Sequence, residues 1–151
     1  AATAFARANG IDRVVIDGER RNVAIVSAGK AYLDVRQALS DLGLEEETCQ
    51  RLGIRLYKPG LIWPMDSEGL CRFALGNQAV LVVEEKRPVM EDQIARHLYS
   101  VDADQRPALA GKQDLRGAPL LPARRGDEAA RIEEELAEAL RAAGLIVKGG
   151  H

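Results

Sequence analysis

The chain has 151 residues, enough for one domain with a real core and too few for two. Its 46% hydrophobic and 29% charged residues are those of an ordinary globular protein, and a net charge of −2 with 4% aromatics argues against phosphate-backbone or base-stacking partners. No basic-then-apolar leader opens it and no apolar run approaches the ~20 residues of a membrane span, so a soluble, cytoplasmic domain is expected.

Ala1 to Gly10 reads as a frayed lead-in or short helix closed by the turn dipeptide Asn9-Gly10. Arg13-Val14-Val15-Ile16-Asp17 is a β-branched run, hence a strand, and Asn22 to Ser27 is an apolar run typical of a strand covered on both faces. Ala28-Gly29 opens a helix from about Lys30 to Leu42, with Tyr32, Val35, Ala38, Leu39 and Leu42 at helical spacing and Gly43 as its stop. Glu45 to Leu52 is a shorter helix with acids in its first turn, ended by Gly53. Ile54 to Tyr57 is the next strand. A Gly/Pro-broken loop through Trp63-Pro64 follows, then a helix capped by Asp66 or Ser67 that runs to about Leu75.

Ala79 to Glu84 is a buried strand ending abruptly in charge, Met90 to Tyr99 a helix, and Pro107 to Gly111 a weak strand suited to an edge. Gly117 to Gly126 reads as a loop, and Asp127 caps a helix to Ala143 with an apolar stripe of Ile132, Leu136, Ala139, Leu140 and Ala143. Strands alternating with helices, most strands apolar throughout, predict a mostly parallel sheet between helical layers.

Few motifs carry chemistry. Ser27-Ala28-Gly29-Lys30 sits where a phosphate loop would, but Ala24 and Ala31 stand where the Walker pattern needs Gly and Ser or Thr. It reads as a tight strand-to-helix turn with Gly29 for close backbone approach. A weaker alternative has the helix start and Lys30 holding a carboxylate or phosphate. In Glu84-Glu85-Lys86-Arg87, strand alternation puts Glu84 and Lys86 on one face and Glu85 and Arg87 on the other. With no His or nucleophile tied to them, a structural ion pair or domain contact outweighs acid–base work. Asp17-Gly18 with Asn22 is too short for a metal-diphosphate loop. Cys49 and Cys71 are far apart and read as free, packed thiols; His97 reads as a partly buried helix residue. No catalytic, metal or cofactor-binding residues are assigned.

Ser27 through Leu39, Trp63-Pro64-Met65, Val82 through Pro88 with Glu91-Asp92-Gln93, Gly111 to Asp114 and Pro119 to Pro122, in that order, resemble indolepyruvate ferredoxin oxidoreductase. The likeness covers roughly Val23 to Pro122 and is to the transketolase C-terminal-like domain, which lies between two thiamine-binding domains in such enzymes. It implies a three-layer α/β/α domain with a five-stranded mixed sheet whose first strand is antiparallel. Residues 1–151 then form one such domain of a larger enzyme, with a core of about 13–143.

The parent enzyme implied decarboxylates arylpyruvates oxidatively, with thiamine diphosphate, Mg, iron–sulfur clusters, coenzyme A as substrate and ferredoxin as electron acceptor. This chain has neither a Gly-Asp-Gly diphosphate loop nor a cluster set of cysteines, so no cofactor is expected in it and it is expected to be inert alone. The candidate interface or anion-binding residues are Gly29, Lys30, Lys58, Trp63, Glu84, Glu85, Lys86 and Arg87. Their expected partners are other domains or subunits of the oxidoreductase, with no nucleic acid and no membrane. Two alternatives stand beside this: the same role for another 2-oxoacid, or a free-standing anion-binding regulatory module.

Overall fold

A computed structural model describes residues 12–84, 88–111 and 128–146. Its strands are β1 (Arg13–Ile16), β2 (Val23–Ser27), β3 (Ile54–Lys58), β4 (Ala79–Val83) and β5 (Ala108–Ala110). Its helices are α1 (Gly29–Asp41), α2 (Glu46–Leu52), α3 (Ser67–Ala74), α4 (Val89–Tyr99) and α5 (Glu128–Ala142). The expected lead-in to Gly10, the loop from Gly117 to Gly126 and the Asp127 cap lie outside the described residues.

The strands form one sheet in the order β1-β3-β2-β4-β5. β1 runs antiparallel to β3 and every other pair is parallel, as the resemblance implied. β2 and β4 are buried along their whole length because both faces of each are covered. Alternation divides their side chains between two cores. Val23, Ile25, Leu56, Leu81 and Val83 pack with Val35 and Leu39 of α1, Cys49 of α2 and Ile132, Leu136 and Leu140 of α5. On the other face Ala24, Val26, Tyr57, Val80 and Val82 pack with Leu70 and Phe73 of α3 and Ile94 and Leu98 of α4. Each fully buried Leu or Ile contributes roughly 1.5–3 kcal/mol of burial free energy, so these stripes fix the three layers.

Local chemistry sets the boundaries. α2 carries Glu46 and Glu47 in its first turn and Arg51 in its last, matching the helix dipole. Gly53 ends it at φ 80°, where a Cβ would also lie 2.8 Å from Asn22 Nδ2. No other residue fits that position without strain. A bulge between Val14 and Ile16 turns both Val15 and Ile16 toward the α2 side. Asp66 does stand at the N-cap of α3, but its side chain makes no capping bond, so the expected cap is positional only. β5 is the edge strand expected, shortened to three residues.

The connections determine where a site can form. From β2 the chain passes through α1 and α2 on one face to β3; from β4 it passes through α4 on the other face to β5. At the carboxyl ends of β2 and β4 the chain therefore leaves in opposite directions, which is the topological switch where open α/β sheets place ligands or partners.

Candidate functional site

The carboxyl edge gathers the described candidate residues, each placed by the strand that precedes it. Gly29 follows β2 at φ 63°, and a Cβ there would meet nothing within 4 Å. The glycine serves a left-handed backbone conformation and not the close approach expected of it. Lys30 is exposed beside it. Lys58 ends β3 with its ammonium 4.7 Å from the centre of the Tyr32 ring, a cation–π contact that ties the start of α1 to the neighbouring strand. Trp63 lies in the β3–α3 loop and is 64% exposed.

At the switch itself the chain satisfies its own polar groups. Ser27 Oγ donates to the Val83 carbonyl at 2.9 Å, joining the ends of β2 and β4. Glu84 is buried, and its two carboxylate oxygens accept from Met90 N at 2.6 Å and Glu91 N at 3.0 Å. Those amides belong to the first turn of α4, which no carbonyl of the helix itself can satisfy. From α5, Arg131 donates to the Glu84 carbonyl at 3.2 Å and pairs with Glu135. Glu84 thus faces inward, as a cap. β4 stops at Val83, so the strand alternation used to divide the charge run ends before it begins. Glu85, Lys86 and Arg87 lie outside the described residues.

The loop carrying Trp63 is held by residues that sequence reasoning missed. Asp12 accepts from the Tyr57 hydroxyl at 2.7 Å and from Gly60 N at 2.8 Å. Burial, followed by the Asp12 bond, drives the Tyr57 phenol well above its ordinary pKa, so it stays protonated as the donor. Gln93, buried on α4, donates to the Ile62 carbonyl at 2.6 Å and accepts from Met65 N at 2.9 Å. It therefore grips the backbone on both sides of Trp63-Pro64, a cis peptide. A signal for Gln93 existed: it falls on the buried stripe with Met90, Ile94 and Leu98, where an amide must find partners.

The opposite, amino edge is closed by arginines. Arg20 donates to the Arg51 carbonyl, and Arg21 to the carbonyls of Arg72 and Leu75, at the C-terminal ends of α2 and α3. Arg55 is buried between Asp17 at 2.7 Å and the Phe73 ring at 4.0 Å, and its hydrogen bond holds the Asp17 carboxyl below the usual range.

Burial pushes the Cys49 thiol up to about 11 and raises that of Cys71, so neither is a poised nucleophile. Among the described residues no three His, Cys, Asp or Glu side chains gather where they could hold a metal ion. His97 is half-buried on α4, as expected. No described helix is long and apolar enough to cross a membrane.

The model of the indolepyruvate ferredoxin oxidoreductase middle domain matches residues 12–143, and the chain belongs to that family. The indolepyruvate oxidoreductase subunit IorA of Thermococcus kodakarensis is 33% identical over 81 residues, 54% of this chain and 11% of that protein. The same subunit from Pyrococcus horikoshii is 33% identical over 76 residues, 50% of this chain and again 11% of that protein. The matched stretch is thus about a tenth of the length of these relatives. The fold is also that of part of a split-gene transketolase described as an inactive β4 tetramer (TM-score 0.57, 18% identity, 86% of this chain and 41% of that one). A 2-oxoglutarate:ferredoxin oxidoreductase from Magnetococcus marinus, with 2-oxoglutarate, coenzyme A and succinyl-CoA bound, shares it too (TM-score 0.51, 19% identity, 90% of this chain and 22% of that one).

Proposed function

We propose that this chain is a non-catalytic structural and interface domain of an indolepyruvate, or more broadly arylpyruvate, ferredoxin oxidoreductase. The full enzyme would be thiamine-diphosphate-dependent and convert the 2-oxoacid to an acyl-CoA, passing electrons to ferredoxin. The observation that carries this reading is the self-satisfied switch point. Where an α/β sheet ordinarily takes a ligand, Ser27 is bonded to Val83 and the Glu84 carboxylate to the first amides of α4.

The residues do not fit the cofactors of such an enzyme, which other domains would hold. Cys49 is fully buried with its thiol directed at the Leu44 carbonyl, and Cys71 is half-buried on α3, the helix that covers the opposite face of the sheet. Neither can join a set of cluster ligands. What the edge offers instead is an exposed aromatic side chain, Trp63, a kind of residue enriched at protein contacts.

Reversing charge at the edge of the full-length enzyme tests this. With Lys30→Glu, Lys58→Glu and Arg87→Glu combined, assembly measured by sedimentation or turnover with indolepyruvate should fall at least several-fold. Wild-type assembly and kinetics in the triple variant would refute an interface role.

A further inference from the structure

Most of the large apolar side chains left in solvent lie toward one edge of the sheet. Among the described residues the exposed large hydrophobics are Val14, Leu33, Ile62, Trp63 and Tyr99, and the first four belong to the carboxyl edge. Ile62 and Trp63 are in the loop leaving β3. Val14 pairs with Tyr57, the residue before Lys58 at that strand's end, and Leu33 is one turn into α1. Trp63 is 64% exposed and Ile62 44%, although backbone on either side of them is committed: Gly60 to Asp12, Ile62 and Met65 to Gln93. A slack loop could lay its indole against the protein, removing some of the 150–250 Å² that such a ring can bury. This loop holds it outward, already ordered. Pre-ordered aromatic anchors are what interface hot spots are made of, because little further entropy is lost on docking.

The path of the chain indicates what covers it. β1 opens the domain at the carboxyl edge, where Arg13 pairs with Lys58, and Asp12 just before it is one of the pins of the Trp63 loop. The family match begins at that same residue. α5 starts at this edge too, with Arg131 on the Glu84 carbonyl, and its fifteen residues carry the chain to the opposite edge. Whatever precedes this middle domain is therefore tethered beside Trp63, and whatever follows is tethered at the far side. Tethering holds the preceding domain at a raised local concentration beside this loop.

The geometry points to the Trp63 loop as the anchor that docks the domain preceding this one in the parent polypeptide, the indole entering an apolar depression. This rests on the interface-domain reading above and adds which domain is held and by which residue.

The test uses the full-length enzyme carrying the photo-crosslinking residue benzoylphenylalanine at position 63 and, in a second protein, at position 33. Attachment from position 63 to peptides of the preceding domain is expected. Trp63→Ala should also raise protease cleavage just before Asp12 at least tenfold, with cleavage after Ile146 unchanged and Trp63→Phe close to wild type. Attachment from position 63 to the following domain or to another subunit would overturn the assignment while leaving the interface reading intact. So would silence at 63 with attachment at 33. Silence at both positions would overturn both.

Discussion

Glu84 gathers the local physics of the site into one side chain. A buried carboxylate is costly unless its oxygens are hydrogen-bonded, and here both accept from the first turn of α4, at Met90 N and Glu91 N. The negative charge also meets the positive end of that helix. The residue does for α4 what an anionic ligand does for helices in binding folds. Glu84→Ala should therefore lower stability by about 2–4 kcal/mol, since it leaves two amides unsatisfied in a buried place. The loss would be read from the denaturant midpoint. Formate fits the vacated volume and should restore part of it, whereas chloride at equal concentration should not. A loss below about 0.5 kcal/mol, the scale of ordinary surface substitutions, or equal recovery with both salts, would show that the carboxylate is not acting as the cap.

The elements were largely legible in the sequence because their signals are local. Apolar runs marked β2 and β4, helical spacing marked α1 and α5, and Gly43 and Gly53 marked helix ends. The clamps of the site were not legible, since they join residues 28 to 47 positions apart: Gln93 to Met65, Asp12 to Tyr57, Arg131 to Glu84. Spacing carries no information at that range. Glu84 was noticed as the end of a charge run, but its role appears only once α4 folds back with its first amides beside it. The Gly29 position was read correctly as a turn and for the wrong reason, because only φ distinguishes a left-handed residue from a crowded one. Gln93 makes the element-scale point testable. Gln93→Leu keeps the helix and fills similar volume but removes both grips on the Trp63 loop. Hydrogen exchange at Met65 N should accelerate about 10- to 100-fold through local opening, with β2 amides unchanged. Undiminished protection at Met65 would mean that the loop is held by something other than Gln93.

At the scale of the whole molecule the two edges of the sheet have opposite characters. Arginines bonded to helix carbonyls close the amino edge; the carboxyl edge closes its switch point internally and then presents an exposed indole. That division suits a part that is fitted into an assembly, and it bears on whether the chain could act alone. The remaining feature in favour of an independent anion site is the start of α1, with Gly29 and the exposed Lys30. A helix terminus contributes about 0.3–1 kcal/mol toward an anion, and an exposed ion pair adds about 0–1 kcal/mol. Together they fall short of the roughly 4 kcal/mol that a millimolar dissociation constant requires. Calorimetric titration of this chain with thiamine diphosphate, coenzyme A and inorganic phosphate in turn should give no saturable heat at concentrations up to about 1 mM. Saturable binding abolished by Lys30→Ala would mean that these magnitudes omit a partner group near α1, and would restore the anion-binding module as the better account.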